Sequence, residues 1–214
     1  MQAPNLKATL DEPSIVVKRI GLVEYEPTWR AMQAFTSARD PSTPDEIWLL
    51  EHGPVYTLGI AGRDAHLPRG RDDIPVLRSD RGGQITYHGP GQLIAYVLLD
   101  MKRRSLSVRP LVRLLEVAVI DLLREYGIAA AGRIEAPGVY VGNAKIAALG
   151  LRITRGFCYH GLALNVDMDL TPFHIIDPCG YPGLSVTQMR DLGVAHDRKH
   201  IGERLLHHLL KALP

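Results

Sequence analysis

The two cysteines of this 214-residue chain lie in different surroundings, and only one of them suits nucleophilic chemistry. Cys179 lies in a loop, residues 177–183, that two prolines and two glycines confine. A thiol held in an irregular loop is a candidate nucleophile, provided that a neighbouring group favours its thiolate form. The alternative is a small side chain without chemistry. Cys158, between Phe157 and Tyr159 in a predicted strand, is interpreted as an inert core residue.

Lys145 is a candidate base, and it is one of only six lysines among the 25 cationic side chains. A period of two places four residues on one face of a predicted strand: Lys145, Ala147, Leu149 and Leu151. An ammonium group among aliphatic side chains loses hydration, which lowers its pKa and makes it a possible proton acceptor. The alternative is a lysine whose stem packs against the strand while its charged end reaches water.

The glycine-rich segment at residues 81–92 is a candidate ligand-binding loop. It has neither the Gly-Lys-Ser/Thr ending of a phosphate-binding loop nor the glycine spacing of a dinucleotide-binding fingerprint. Its glycines would let the backbone approach a ligand, and Arg81, Tyr87 and His88 would offer polar contacts. The alternative is a pair of turns around a short strand.

Two of the nine histidines, His88 and His160, each precede a glycine on a predicted strand. Either could contact a ligand or be a core histidine, and a Cys–His dyad stays open because histidine is the usual base for a thiol. The histidines show no metal-ligand spacing, so no metal site is predicted.

Composition limits the class of protein that could carry these residues. With 46% apolar residues, 22% charged residues and a net charge of +2, the chain has globular composition. So small a charge predicts no general affinity for nucleic acid or membrane. The longest apolar run, residues 93–99, is too short to span a bilayer, and residues 1–13 show no signal peptide. We expect a soluble protein of a reducing cytoplasm, without disulfides.

The hydrophobic pattern predicts a single domain of α/β (α+β) class with a mixed, largely antiparallel sheet and flanking helices, its core at about residues 15–210. Helices are predicted at residues 25–40, 108–126 and 201–212, the second with Ser107 as N-cap and Gly127 as stop. Strands are predicted at residues 14–20, 46–51, 55–58, 84–88, 92–100, 139–141, 145–153 and 157–166. The last two strands are joined by a hairpin turn at residues 154–156.

Five motifs, in order and spacing, resemble those of the bacterial octanoyltransferase family, the lipoyl(octanoyl) transferases of lipoate biosynthesis. They are residues 81–92, Ala136-Pro137-Gly138-Val139-Tyr140, Lys145-Ile146-Ala147, Tyr159-His160-Gly161-Leu162-Ala163-Leu164-Asn165 and Pro178-Cys179-Gly180. The resemblance extends over nearly the whole chain and implies an acyltransferase with the fold of biotin and lipoate protein ligases. It implies octanoyl transfer from octanoyl-acyl carrier protein to a lysine of lipoyl domains, through an acyl-cysteine thioester.

The resemblance also implies roles for individual residues. Cys179 corresponds to the nucleophile and Lys145 to the lysine that activates it. The substrate-binding positions correspond to Arg81, Gly82, Gly83, Gln84, Ile85, Thr86, Tyr87, His88, Ala148, Leu149, Gly150, Gly161, Leu162 and Ala163. The implied acceptors are the lipoyl domains of 2-oxoacid dehydrogenases and the glycine cleavage H protein. No cofactor, ATP or metal is implied, because the thioester donor is already activated.

Two other functions are compatible with such a chain. A lipoate or biotin ligase of the same fold would activate a free acid with ATP and would need no cysteine. An acyl-binding or carrier-docking module would lack Cys179 or Lys145, and both are present. A cationic cluster could steer an acidic carrier protein or simply be a solvated face; its members are Lys102, Arg103, Arg104, Arg109 and Arg113.

Overall fold

The computed structural model describes residues 15–64, 67–68, 73–177, 183–195 and 197–214. The strands there are β1 (Val16–Val23), β2 (Glu46–His52), β3 (Val55–Leu58), β4 (Val76–Arg78), β5 (Ile85–His88), β6 (Gln92–Asp100), β7 (Ala131–Gly132), β8 (Gly138–Val141), β9 (Ala144–Thr154) and β10 (Phe157–Asn165). The helices are α1 (Tyr25–Ala38), α2 (Val108–Glu125) and α3 (Arg198–Ala212), with short 3₁₀ helices at Thr171–Ile175 and Arg190–Leu192.

The larger sheet has seven strands in the order β1-β2-β6-β10-β9-β8-β7. Only β1 and β2 pair in parallel; the other neighbours are antiparallel. The central strand β6 is buried along almost its whole length because both faces of the sheet are covered. Helices α2 and α3 pack on one face through Leu111, Leu115 and Leu205, and α1 packs on the other through Met32.

A second sheet of three strands, in the order β4-β3-β5, adjoins the first. Its core contains Tyr56, Ile85 and Tyr87, together with Phe173 from the first 3₁₀ helix. Strand β3 pairs in parallel with β4 and antiparallel with β5. The mixed, largely antiparallel α/β architecture predicted from the sequence is therefore confirmed, although the division into two sheets was not predicted.

Helix α2 shows how local sequence sets an element. Its apolar stripe is buried, and Gly127 ends it with φ +73°, while the N–H groups of Gly127 and Ile128 donate to the carbonyls of Arg124 and Leu123. These two bonds form the glycine-terminated motif that satisfies the last carbonyls of a helix. Ser107 does stand at the N-cap, but its hydroxyl makes no capping hydrogen bond.

Helix α1 ends at Ala38, two residues before its predicted end. Arg39 is extended, and its buried guanidinium donates to Asp45 at 2.5 Å and to the carbonyl of Leu98 at 3.0 Å. Arg104 binds the other oxygen of Asp45. This ion cluster joins the end of α1 to the segment that follows β6, which makes Arg104 part of the folded core.

The predicted cationic cluster is therefore only partly a solvated surface. Besides Arg104, Arg103 is turned inward, because its guanidinium donates to the carbonyl of Thr43 at 2.8 Å and pairs with Asp100. Lys102 and Arg109 are exposed. A carrier-steering surface at this place would have fewer free charges than the sequence pattern indicates.

Candidate active site

The orientation of Lys145 depends on a β-bulge in strand β9. One step along β8, from Val139 to Tyr140, corresponds to two steps along β9, from Ala147 to Lys145, so that Ile146 is an extra residue. Such a bulge bends the strand and re-aims the side chain beside it. Ile146 and Ala147 both lie in the core with α2, whereas Lys145 pairs with Tyr140. The prediction that Lys145 shares a face with Ala147 is therefore wrong.

The bulge places Lys145 on the opposite face, beside the segment that includes Ala148. The Lys145 ammonium lies 5.2 Å from the ring centroid of Tyr140, and Nζ donates to the carbonyl of Pro137 at 3.3 Å. A Cβ added to Gly138, the residue paired with Ala148, would lie 3.2 Å from Nζ. Lys145 is only 4% exposed, so its head does not reach bulk water as the alternative interpretation required.

The backbone of Lys145 also anchors the segment that follows Cys179 in the sequence. The N–H of Lys145 donates to the carbonyl of Ser185 at 2.9 Å, and the N–H of Thr187 donates to the carbonyl of Lys145 at 3.0 Å. Val186 thus forms a parallel bridge with Lys145. Cys179 itself lies outside the described residues. Cys158 is buried, and burial raises the pKa of its thiol to about 12, as suits an inert core residue.

Two adjoining cavities lie beside strand β9. Most of the predicted substrate-binding residues line the first: Arg81, Gly83, Gln84, Ile85, Thr86, His88, Ala148, Leu149, Gly150, Gly161, Leu162 and Ala163. Tyr25, Ile94, Tyr96 and His160 complete its wall. Lys145 and Gly82 line the second cavity, which shares Gly83, Gln84, Leu149 and Gly150 with the first. Tyr87 lines neither and packs against Tyr56 and Phe173.

Two glycines of the site are needed for close approach. A Cβ at Gly161 would lie 2.0 Å from the carbonyl oxygen of Ala95 on β6. A Cβ at Gly150 would lie 3.1 Å from both the carbonyl oxygen of Gly82 and Cδ of Arg81. Gly161 thus lets β10 approach β6, and Gly150 lets the loop at Arg81 close over β9.

Arg81 holds that loop against the second sheet. Its guanidinium is buried and donates to the carbonyl and the hydroxyl of Thr57, at 2.5 Å and 2.8 Å, and to the carbonyl of Gln84 at 2.8 Å. The side chain therefore shapes the cavity from within by ordering the loop. Its aliphatic stem faces Gly150.

His88 is a neutral wall residue. It accepts or donates hydrogen bonds at both ring nitrogens, to Gln92 at 2.7 Å and to Thr57 at 3.3 Å. Burial, with the nearby His52 as a smaller cause, lowers the pKa of His88 to about 3. A histidine with so low a pKa stays uncharged near neutral pH and is a weak base.

His160 has an unusual backbone and a fixed tautomer. Its φ is +63°, a left-handed conformation that costs a non-glycine residue about 1 kcal/mol. Its strand neighbours Cys158 and Leu162 face the α2 side, but the twist turns the His160 ring onto Tyr159 and Tyr96 on the α1 side. Nε2 lies 2.9 Å from Asp80, and the buried Nδ1 has no hydrogen-bond partner among the described residues.

Asp80 was not predicted from the sequence, and neither were the wall residues Tyr25, Ile94 and Tyr96. The Asp80 carboxylate accepts hydrogen bonds from Trp29 at 2.8 Å and Gln33 at 2.9 Å, and also from Tyr159 and His160. Burial favours the neutral acid, but the bonds from His160, Tyr159 and Gln33 hold the pKa of Asp80 well below its ordinary range. The ionised carboxylate keeps the His160 proton on Nε2. Its only signal in the sequence is its position directly before Arg81.

Within the described residues, no group of three His, Cys, Asp or Glu side chains is placed to hold a metal ion. No helix there combines the length and the apolar character needed to cross a membrane.

The sequence is similar to a large set of known proteins. A family model described as the lipoyl protein ligase A/B catalytic domain matches residues 24–210. An octanoyltransferase of Azoarcus sp. (strain BH72) is 62% identical, over 94% of this chain and 88% of its own length. An octanoyltransferase of Thiobacillus denitrificans is 63% identical, over 86% of this chain and 84% of its own length.

Solved structures share the fold at much lower identity. A lipoate-protein ligase A bound with ATP superposes with a TM-score of 0.70 at 16% identity, over 94% of this chain and 85% of that one. The biotin protein ligase of Aquifex aeolicus with biotin and ATP superposes with a TM-score of 0.56 at 13% identity, over 92% of this chain and 69% of that one. These likenesses confirm the ligase-like fold that the motifs implied. The chain therefore belongs to the lipoyl protein ligase A/B catalytic domain family and, within it, to the octanoyltransferases, acyltransferases of protein lipoylation.

Proposed function

We propose that the chain, acting as one catalytic domain, takes the octanoyl group from octanoyl-acyl carrier protein and passes it to a lysine of a lipoyl domain through an acyl-thioester on Cys179. The observation that carries this proposal is the placement of Lys145. Its buried ammonium adjoins the apolar cavity, and its backbone is bonded to the segment that follows Cys179.

In the first step, the amine of Lys145 takes the proton of the Cys179 thiol. The thiolate attacks the carbonyl carbon of the donor thioester, the bond from that carbon to the carrier sulfur breaks, and the carrier sulfur takes the proton back from Lys145. The products are the octanoyl-Cys179 thioester and the free carrier thiol. Because the donor is already a thioester, the step needs no nucleotide.

In the second step, the acceptor lysine loses one proton to solvent and attacks the octanoyl-Cys179 carbonyl as an amine. The carbon–sulfur bond breaks as the amide forms. The second amine proton passes to Lys145 and from there to the Cys179 sulfur, which restores the starting enzyme. Cys179 and Lys145 would perturb each other's titration, so their pKa values belong to the pair.

The first cavity supports an aliphatic substrate. Ile85, Ile94, Leu149, Leu162 and Ala163 contribute apolar wall. Burying the methylene groups of an octanoyl chain would contribute roughly 5 kcal/mol, at about 0.8 kcal/mol for each CH₂.

The partners belong to the same proposal. A structural neighbour from Thermoplasma acidophilum is a bipartite lipoate protein ligase studied with its E2 lipoyl domain, at 17% identity and a TM-score of 0.71. We infer acceptors of that class for this chain, namely the lipoyl domains of 2-oxoacid dehydrogenases and the glycine cleavage H protein. A cytoplasmic location is also part of the proposal, since a working thiolate needs a reducing compartment.

Intact-mass measurement after mixing with octanoyl-acyl carrier protein tests the proposal directly. The wild type is expected to gain one octanoyl group, and peptide mapping should place it on Cys179. Cys179→Ala should give neither adduct nor transfer, whereas Cys158→Ala, the matched control in the core, should give both. An adduct on the peptide that contains Cys158 would contradict the assignment.

A further inference from the structure

Together, the two adjoining cavities extend along strands β9 and β10 from Lys145, which lines the second, to His160, which lines the first. Nζ of Lys145 lies level with Ala148, because Gly138 pairs with Ala148 and a Cβ on Gly138 would lie 3.2 Å from Nζ. His160 pairs with Leu151, three residues further along β9. A strand advances about 3.3 Å per residue, so the two ends are about 10 Å apart along the strand.

That distance matches the length of an octanoyl chain. An extended chain of eight carbons spans about 9 Å, since each C–C bond of about 1.5 Å advances it by about 1.25 Å. If the carbonyl carbon is held beside Lys145, as the proposed function requires, the terminal methyl group arrives at His160.

His160 is built as a rigid end to this path. Asp80 fixes the ring through Nε2, and the ring is packed between Tyr159 and Tyr96 at centroid distances of 5.0 Å and 5.8 Å. The residue is 1% exposed and lines the first cavity, and within the part of the chain that the structure describes its Nδ1 has no hydrogen-bond partner. The strained φ of +63° is what turns the ring to this side of the sheet. Strain of this kind persists where the surroundings impose it and is typical of functional positions.

We propose that His160, held in place by Asp80, is the end wall of the acyl site and sets its preference for chains of about eight carbons. The inference rests on the proposed function, because it places the reacting carbonyl beside Lys145. A longer chain must displace a ring that three neighbouring side chains hold, or press methylene groups against the Nδ1 acceptor. A shorter chain leaves unfilled space in front of the ring, with the loss of contacts that any cavity brings.

Chain-length profiles test the inference. We would measure kcat/KM for hexanoyl, octanoyl, decanoyl and dodecanoyl pantetheine thioesters in the wild type and in His160→Gly. Glycine removes the ring and adopts φ +63° without strain. The ratio of decanoyl to octanoyl kcat/KM is expected to rise at least tenfold in His160→Gly. Arg155→Gly is the matched control, because Arg155 also has a positive φ, of +50°, but lies in the exposed hairpin turn.

The outcomes separate this inference from the proposed function. An unchanged ratio in a folded His160→Gly overturns the end-wall role and leaves octanoyl transfer through Cys179 intact. Absence of an acyl-Cys179 adduct for every chain length in the wild type overturns the proposed function instead. If His160→Gly does not fold, His160→Asn serves, because asparagine tolerates the left-handed region and is shorter than histidine. The decanoyl ratio should then rise at least threefold, and an unchanged ratio again overturns the inference.

Discussion

At the scale of single residues, the role of Lys145 is the most direct point to test. Arginine at this position keeps the positive charge but cannot act as a base at working pH. Methionine keeps a long unbranched side chain but has neither the charge nor the amine. If Lys145 moves protons, both Lys145→Arg and Lys145→Met should lose roughly 10²–10⁴-fold in the transfer rate from octanoyl-acyl carrier protein to a lipoyl domain. Circular dichroism should show that both variants stay folded.

The same comparison separates proton transfer from charge alone. Retention of most of the acylation rate by Lys145→Arg would indicate that the ammonium only stabilises the thiolate electrostatically. Near-normal transfer by Lys145→Met would exclude the Lys145–Cys179 dyad and reopen the possibility of a Cys–His dyad. Lys211→Met is the control, because Lys211 is exposed on α3 and lines neither cavity.

At the scale of elements, two helix starts offer a matched pair. Asp197 caps α3, since its side chain accepts the N–H of His200 at 2.7 Å, whereas the Ser107 hydroxyl at the start of α2 makes no such bond. Asp197→Ala should therefore lower the free energy of unfolding by about 1 kcal/mol, and Ser107→Ala should change it by less than about 0.5 kcal/mol. Urea denaturation followed by tryptophan fluorescence measures both. An equal loss in the two variants would contradict the assignment of the caps.

Long elements were predictable from the sequence because their periodicity is strong. Helix α2 begins at Val108 as predicted. The hairpin between β9 and β10 was also predicted, but its turn has two residues, 155–156, and not the predicted three at 154–156, because Thr154 pairs with Phe157. The short strands β4 and β7, of three and two residues, were missed because so few residues show no periodicity. The two irregularities that build the site were also missed. The bulge at Ile146 and the left-handed His160 are enforced by tertiary packing, and neither is visible in the local pattern.

Candidate residues were easier to predict than their arrangement. The motifs and the resemblance identified about two thirds of the residues that line the two cavities, because glycines and polar residues in irregular segments mark sites where backbone and ligand approach. The Asp80–His160 pair joins residues 80 positions apart in the sequence. Such a pair depends on how the loop before β5 folds over β10. The residue pattern within one segment of the sequence does not show that packing.

At the scale of the whole molecule, the fold is shared with ligases that bind ATP, so nucleotide use is the property to measure. Transfer from octanoyl-acyl carrier protein to a lipoyl domain should proceed at full rate without nucleotide, because the thioester supplies the activation. Free octanoate with ATP and Mg²⁺ should give little product. The mass of the acceptor domain and the release of pyrophosphate report the two reactions. Robust ligation of free octanoate with pyrophosphate release would favour a ligase.

The extra residue in strand β9 gives the gene one codon whose loss would spare the orientation of Lys145. Deleting the single codon for Ile146 would leave the reading frame intact and remove one amino acid of 214. The strand could then pair regularly with β8, with Ala147 opposite Val139 and Lys145 still opposite Tyr140. Because regular pairing alternates the side chains between the two faces, Lys145 would keep the face that it has with the bulge. The deletion would remove the bend in β9 and the buried side chain of Ile146, while the proposed proton carrier would keep its place in the ladder.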